Sequence, residues 1–165
     1  MFCLAIADRR QSIEGFRFFA GRLVLGESIE FLRCASGYWS PRQYRSQWRV
    51  AAARLASHPM ATSAFVTSAA KGPGNFEWWL ARRRGNTVTF TNQLVFLGRP
   101  RLHVSAELAH EQKHRPTYRG GHQEQRPSEW RLPFSEIRRY MRHEMTSNPS
   151  VKRASRKRAA PYVER

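Results

Sequence analysis

At 165 residues the chain has the length of one domain, and its 41% apolar and 12% aromatic residues supply enough surface to bury a continuous core. The apolar run Met1 to Ala7, closed by Asp8-Arg9-Arg10, falls far short of the roughly 20 residues that span a bilayer and lacks the form of a secretory signal. Two cysteines, Cys3 and Cys34, are too few for a disulfide scaffold or a Cys-rich zinc site, so the composition predicts a cytoplasmic protein with both thiols reduced and packed as small apolar groups.

Phe2 to Ile6 reads as a buried strand, Gly15 to Phe19 with Gly21 to Gly26 as one or two more, and Ser28 to Leu32 as another. Together they predict an antiparallel meander with turns at Gly21 and Gly26. Ser40-Pro41 then starts a helix, with a hydroxyl to accept an orphan backbone N–H and a proline suited to the first helical position. Tyr44, Trp48, Ala51 and Leu55 recur at four, three and four residues and form one apolar face, while Arg42, Arg45 and Arg49 fall opposite as a solvated row. The helix ends near Ser57, ahead of Pro59.

A hairpin follows. Thr62 to Ser68 is a β-branched strand and Lys71 to Asn75 a Gly/Pro loop. Phe76, Trp78 and Leu80 alternate with Glu77, Trp79 and Ala81; Arg83-Arg84-Gly85-Asn86 makes the turn; and Thr87 to Thr91 returns, extended by Asn92 to Leu97. Adjacent residues of a strand face opposite sides, so one of Trp78 and Trp79 is expected in the core and the other under a helix or on a partner-binding face.

Residues 98–127 lose periodicity and are predicted as a long irregular loop. Within it His110-Glu111-Gln112-Lys113-His114 matches His-Glu-x-x-His, which on a helix sets two imidazoles one turn apart for zinc with the glutamate as general base. That is the only pattern here for a zinc hydrolase. Lys113 places a cation beside the supposed metal, Arg115-Pro116 ends the helix at once, and Gly120 stands where a third histidine would be; His103 and His122 add no recognised spacing. The expectation is therefore no metal and no cofactor. No nucleophile elbow, phosphate loop or dinucleotide fingerprint occurs, and the twelve carboxylates are scattered, so no catalytic residue is assigned.

Ser128 to Leu132 reads as a short strand, and Ser135 as the N-cap of a last helix whose stripe is Ile137, Tyr140, Met141 and Met145. Residues 146–165 form a basic tail without periodicity, expected to be disordered. Lys152, Arg153, Arg156, Lys157, Arg158 and Arg165 against Glu164 make it +5 of the net +17, and residues 1–145 keep +12 without forming a block. Such charge invites nucleic acid as a partner, the second reading of function; a generally cationic surface without a block is its plainer explanation.

The predicted architecture is α+β: one domain over residues 1–145, a mostly antiparallel sheet of about five or six strands packed by helices at 41–57 and 135–145. The serial order of several short motifs adds a resemblance. Gly37-Tyr38-Trp39-Ser40 leads into Tyr44 and Gln47-Trp48, followed by Ala64-Phe65-Val66-Thr67-Ser68 and Asn75-Phe76-Glu77-Trp78-Trp79. Asn92 to Leu97 and Ser128-Glu129-Trp130 complete the series. In this order the chain resembles the immunity proteins of bacterial contact-dependent growth inhibition systems, over roughly residues 1–100 and 128–142. That resemblance implies a small cytoplasmic protein, encoded beside a large secreted toxin, that binds and neutralises the toxin's C-terminal domain and catalyses nothing. Two features depart from the family: its members are mostly acidic, and the stretch Arg99 to Arg126 and the tail have no counterpart. A cationic immunity protein would suit an acidic patch on its toxin.

Overall fold

The computed structural model describes residues 1–37, 39–69, 75–96 and 129–147. Strands β1 (Phe2–Ile13), β2 (Phe16–Leu25) and β3 (Ser28–Ala35) form the expected antiparallel meander, in the order β1-β2-β3. Glu14 and Gly15, both at positive φ (50° and 79°), make the two-residue turn between Ile13 and Phe16. This is the twist that joins right-twisted strands.

Two local expectations are corrected here. β1 runs seven residues past Ile6, through the polar stretch Arg9-Arg10-Gln11, because after a bulge between Ile6 and Arg10 its backbone pairs again with β2. Hydropathy is blind to a strand that continues outside the core. Gly21 is not a turn; it lies in mid-strand, paired with Ile6 on one side and Leu32 on the other. A Cβ there would come within 2.9 Å of the Ala5 carbonyl oxygen, so glycine is needed for close approach. Gly26, at φ 70°, is a turn as expected.

Helix α1 (Pro41–Ser57) has the predicted limits. The Ser40 hydroxyl accepts from the Gln43 amide, and the Gln43 side-chain oxygen accepts from the Ser40 amide at 2.9 Å, a reciprocal capping box. Its buried face holds the four predicted residues together with Gln47 and Ala52.

The second sheet, in the order β4-β5-β6-β7, is antiparallel throughout: β4 (Thr62–Ala69), β5 (Asn75–Arg84), β6 (Thr87–Phe96) and β7 (Glu129–Pro133). The α+β class and the antiparallel pairing are as expected, but the one sheet of five or six strands is two sheets, with seven strands among the described residues, because α1 stands between β3 and β4 in the chain and the two sets of strands pair only among themselves. Helix α2 (Phe134–Ser147) begins one residue ahead of the expected cap, placing Ser135 in its first turn. The Phe134 amide donates instead to the Asn86 carbonyl in the β5–β6 turn at 2.7 Å, which holds the helix start against the second sheet.

One buried cluster spans both sheets and both helices. Its junction is Phe2 of β1, whose ring lies 5.6 Å from Phe65 of β4, 5.2 Å from Phe90 of β6 and 5.1 Å from Tyr140 of α2. Aromatic contacts of this geometry add to the apolar area buried and fix the approach of the two sheets.

Candidate functional site

The His-Glu-x-x-His match at 110–114, His103, His122, the loop at 71–74 and nearly all of the 146–165 tail lie outside the described residues. Among the described residues no cluster of three or more His, Cys, Asp or Glu side chains could hold a metal ion. Cys34 is fully buried, and burial, reinforced by the Glu77 carboxylate, pushes its thiol up to about 12, so it is no nucleophile at neutral pH. Cys3 is half-buried.

Trp78 and Trp79 face opposite sides of the second sheet, and both are buried. Trp78 donates from Nε1 to the Gln93 side-chain oxygen at 3.2 Å, while the Trp79 ring lies 5.0 Å from that of Trp130. Neither presents surface to a partner in the isolated chain. They brace the sheet.

Several arginines are structural as well. Arg45 was expected on a solvated row, yet it donates to the Ile6 carbonyl at 2.8 Å and meets Asp8 at 2.9 Å, bonding a backbone group on the free edge of β1. Arg83 donates from Nη1 to the Leu55 and Ala56 carbonyls at the end of α1 (2.9 and 3.4 Å) and from Nε to the Gly85 carbonyl (2.8 Å). Its guanidinium also lies 3.5 Å from the Phe134 ring centroid. These groups are committed to the fold.

What remains open is the side of the first sheet turned away from the core. Leu23 and Leu25 of β2 and Leu32 and Cys34 of β3 point into the cluster, so the alternate residues of those strands point out. Ring contacts confirm the assignment: Phe16 stacks with Phe18 at 5.9 Å, and the Arg33 guanidinium lies 5.8 Å from the Phe18 ring. On this face Ile13 pairs with Phe16, and Arg22 pairs with Phe31. Phe31 is 87% exposed and Ile29 55%, two large apolar side chains next to each other on one face, and such grouping is what carries information. Nothing in the sequence singled Phe31 out. Ile29, Phe31, Leu32 and Cys34 supply apolar residues to both sides of β3, and only the register with β2 decides which side is buried.

Comparison with known proteins gives two matches. Residues 34–140 match the family model described as the CdiI N-terminal domain. Among solved structures, a chain of the "CdiA-CT/CdiI toxin and immunity complex from Enterobacter cloacae" superposes with a TM-score of 0.73 at 18% sequence identity, covering 89% of this chain and 100% of that one. At that identity the likeness establishes a shared fold. No curated protein matches the chain.

Proposed function

The chain belongs to the family of the CdiI N-terminal domain, and from that membership we propose that it is an immunity protein, which binds the C-terminal domain of a cognate growth-inhibition toxin and blocks its activity without a reaction of its own. The observation that carries this reading is the family match, which takes in α1, the whole second sheet and the start of α2. The fold shared with a chain of a toxin and immunity complex is consistent with it.

Inhibition by occlusion asks little of chemistry and much of preorganisation, because ordering a surface at the moment of binding subtracts from affinity. The fold suits that demand: the buried cluster is continuous from the first sheet through α1 to the second, so a partner would meet a rigid face. On this reading residues 1–145 act as one immunity domain and the work is done in the cytoplasm. Among the described residues no helix is long and apolar enough to cross a membrane.

The deciding experiment is growth rescue. The C-terminal domain of the large protein encoded beside this gene is induced in cells with and without the chain. Restored growth together with a stable complex of the two purified proteins is the expected result. Continued growth arrest, with both proteins soluble, would sink the immunity reading.

A further inference from the structure

We propose that the solvent-facing side of the β1–β2–β3 sheet, centred on Phe31, is the surface that grips the toxin, and that it fits an acidic patch with an apolar recess at its middle. The inference rests on the immunity reading above and goes further by naming the surface and the chemistry of what it binds.

The first argument is concentration of exposed apolar groups. Of the seven large hydrophobic side chains exposed among the described residues, four lie on this one face: Ile13, Phe16, Ile29 and Phe31. Scattered singly they would need no explanation, but they fall in two pairs on one face, Ile13 with Phe16 and Ile29 beside Phe31, joined along β2 and β3 by the largely buried apolar residues Phe18, Val24 and Ala35. From Phe16 at one end of β2 to Val24, opposite Ile29, this apolar run extends about 27 Å at the usual rise of a strand, the span of one side of an ordinary protein interface.

Charge is the second argument. Arg22 and Arg33 stand beside Phe31, one across the strand pair and one two residues along β3, and neither is in an ion pair among the described residues. On β2 and β3 the outward positions carry no carboxylate at all. Aromatic and arginine side chains together are the composition in which binding energy concentrates, with the arginines selecting an acidic partner and speeding its approach.

Other occupants fit less well. Residues 97–128 carry six basic and three acidic side chains and residues 148–165 six and one, so either segment of the chain itself would set cation against cation. A second copy meeting this face through a two-fold axis would oppose arginine with arginine. Single-stranded nucleic acid would supply negative charge and stack on phenylalanine, but Ile13 and Ile29 offer no stacking plane and need an apolar counterpart, which a folded protein has.

The test uses the full chain and the purified toxin C-terminal domain encoded beside it. Dissociation constants are measured for wild type, Phe31→Asp, the pair Arg22→Glu/Arg33→Glu, and Arg82→Glu, an exposed control on the second sheet, with circular dichroism and thermal melts to show that each is folded. Phe31→Asp is expected to weaken binding by about 30-fold or more, the loss typical of a central anchor. The double arginine variant should weaken it by about tenfold, mainly in the association rate, and Arg82→Glu by less than about twofold. Wild-type affinity in the folded Phe31 and arginine variants would overturn the assignment of this face and leave the immunity reading standing. Failure of wild type itself to bind the toxin would remove the immunity reading, and this one with it. A thymidine 12-mer bound by wild type and lost in Phe31→Asp would give the face to nucleic acid instead. A dimer that Phe31→Asp dissociates would make it a self-interface.

Discussion

Arg83 brings three parts of the chain together through one planar group: the carboxyl end of α1, the β5–β6 turn and the first ring of α2. The position suits a cation, since the carbonyls it meets at Leu55 and Ala56 form the negative end of the helix dipole. A charged donor's hydrogen bonds are worth about 1.5–3 kcal/mol and an arginine over an aromatic ring adds roughly 0.5–2, so Arg83→Ala should cost about 2–3 kcal/mol once partial exposure is discounted. Urea unfolding measures it. Arg83→Lys should recover less than half, because a point charge cannot serve three acceptors in one plane; full recovery by lysine would mean that only the charge matters. Cys34 makes the second residue-scale prediction. Burial, then the nearby Glu77 carboxylate, raises its thiol from 9.0 to about 12, so between those values the unfolded chain has lost a proton that the folded chain keeps. Stability is therefore full below pH 9 and falls as pH rises, by about 1.4 kcal/mol per pH unit for this group. Tyr140, raised by burial and by Glu144, adds a further decline with the same sign. Comparing wild type with Cys34→Ala by urea unfolding from pH 8 to 11 isolates the thiol, and the variant should show the shallower slope above pH 9. Parallel curves would mean that Cys34 titrates normally in the fold.

Among the elements, the contact of α1 with β4 decides how the second sheet ends. β4 is an edge strand, and an uncovered edge exposes backbone groups to pairing with other chains. Here α1 covers it with side chains. Gln47 donates to the Ala64 carbonyl at 2.6 Å and accepts from the Val66 amide at 3.0 Å, as a neighbouring strand would, and the Trp48 Nε1 donates to the Val66 carbonyl at 2.7 Å. Gln47→Leu keeps the volume and removes both amide contacts, leaving a buried donor and acceptor unpaired at a cost of about 1–3 kcal/mol. Amide exchange at Val66 should accelerate in the variant while that at Leu80, on the far strand of the pair, follows only the global stability. Unchanged protection at Val66 would show that the edge is satisfied in another way. The same residue marks where sequence reading stops. The 4-3-4 spacing of Tyr44, Trp48, Ala51 and Leu55 revealed the helix and its inner face, because that periodicity is a property of the helix alone. Gln47 lies on that face and reads as polar, since its partners are backbone atoms brought near only when β4 folds against α1. The hairpin of β5 and β6 was legible from Gly85-Asn86 and the flanking alternation. The outer half of β1 was not, being polar on both sides. The outward-facing strip at Phe31 was hidden for the opposite reason, an excess of apolar residues on both sides of its strand.

The whole molecule is dominated by its charge. A net +17 on 165 residues, nearly all from arginine, either serves a partner or reflects composition alone, and the two differ in how the complex responds to salt. Arg45 and Arg83 show that part of this charge is consumed inside the fold, each bonded to backbone carbonyls. Arg22 and Arg33 show that another part is displayed on a face without carboxylates on β2 and β3. If the toxin's docking patch is acidic, the long-range field steers the encounter, and raising salt shortens its reach from about 10 Å at 0.1 M to about 3 Å at 1 M. Stopped-flow association between the chain and the toxin domain should then slow by about tenfold from low to high salt, while dissociation, governed by the contacts at Phe31, changes by less than about threefold. A form ending at Ser147 loses six basic side chains and Glu164, falling to +12. It should associate somewhat more slowly at low salt and dissociate at the same rate, because residues distant from the contact add to the field and not to the interface. An association rate indifferent to salt in both forms would separate binding from charge altogether, and the arginines would then be read as composition, with Phe31 and its apolar neighbours left to carry recognition alone.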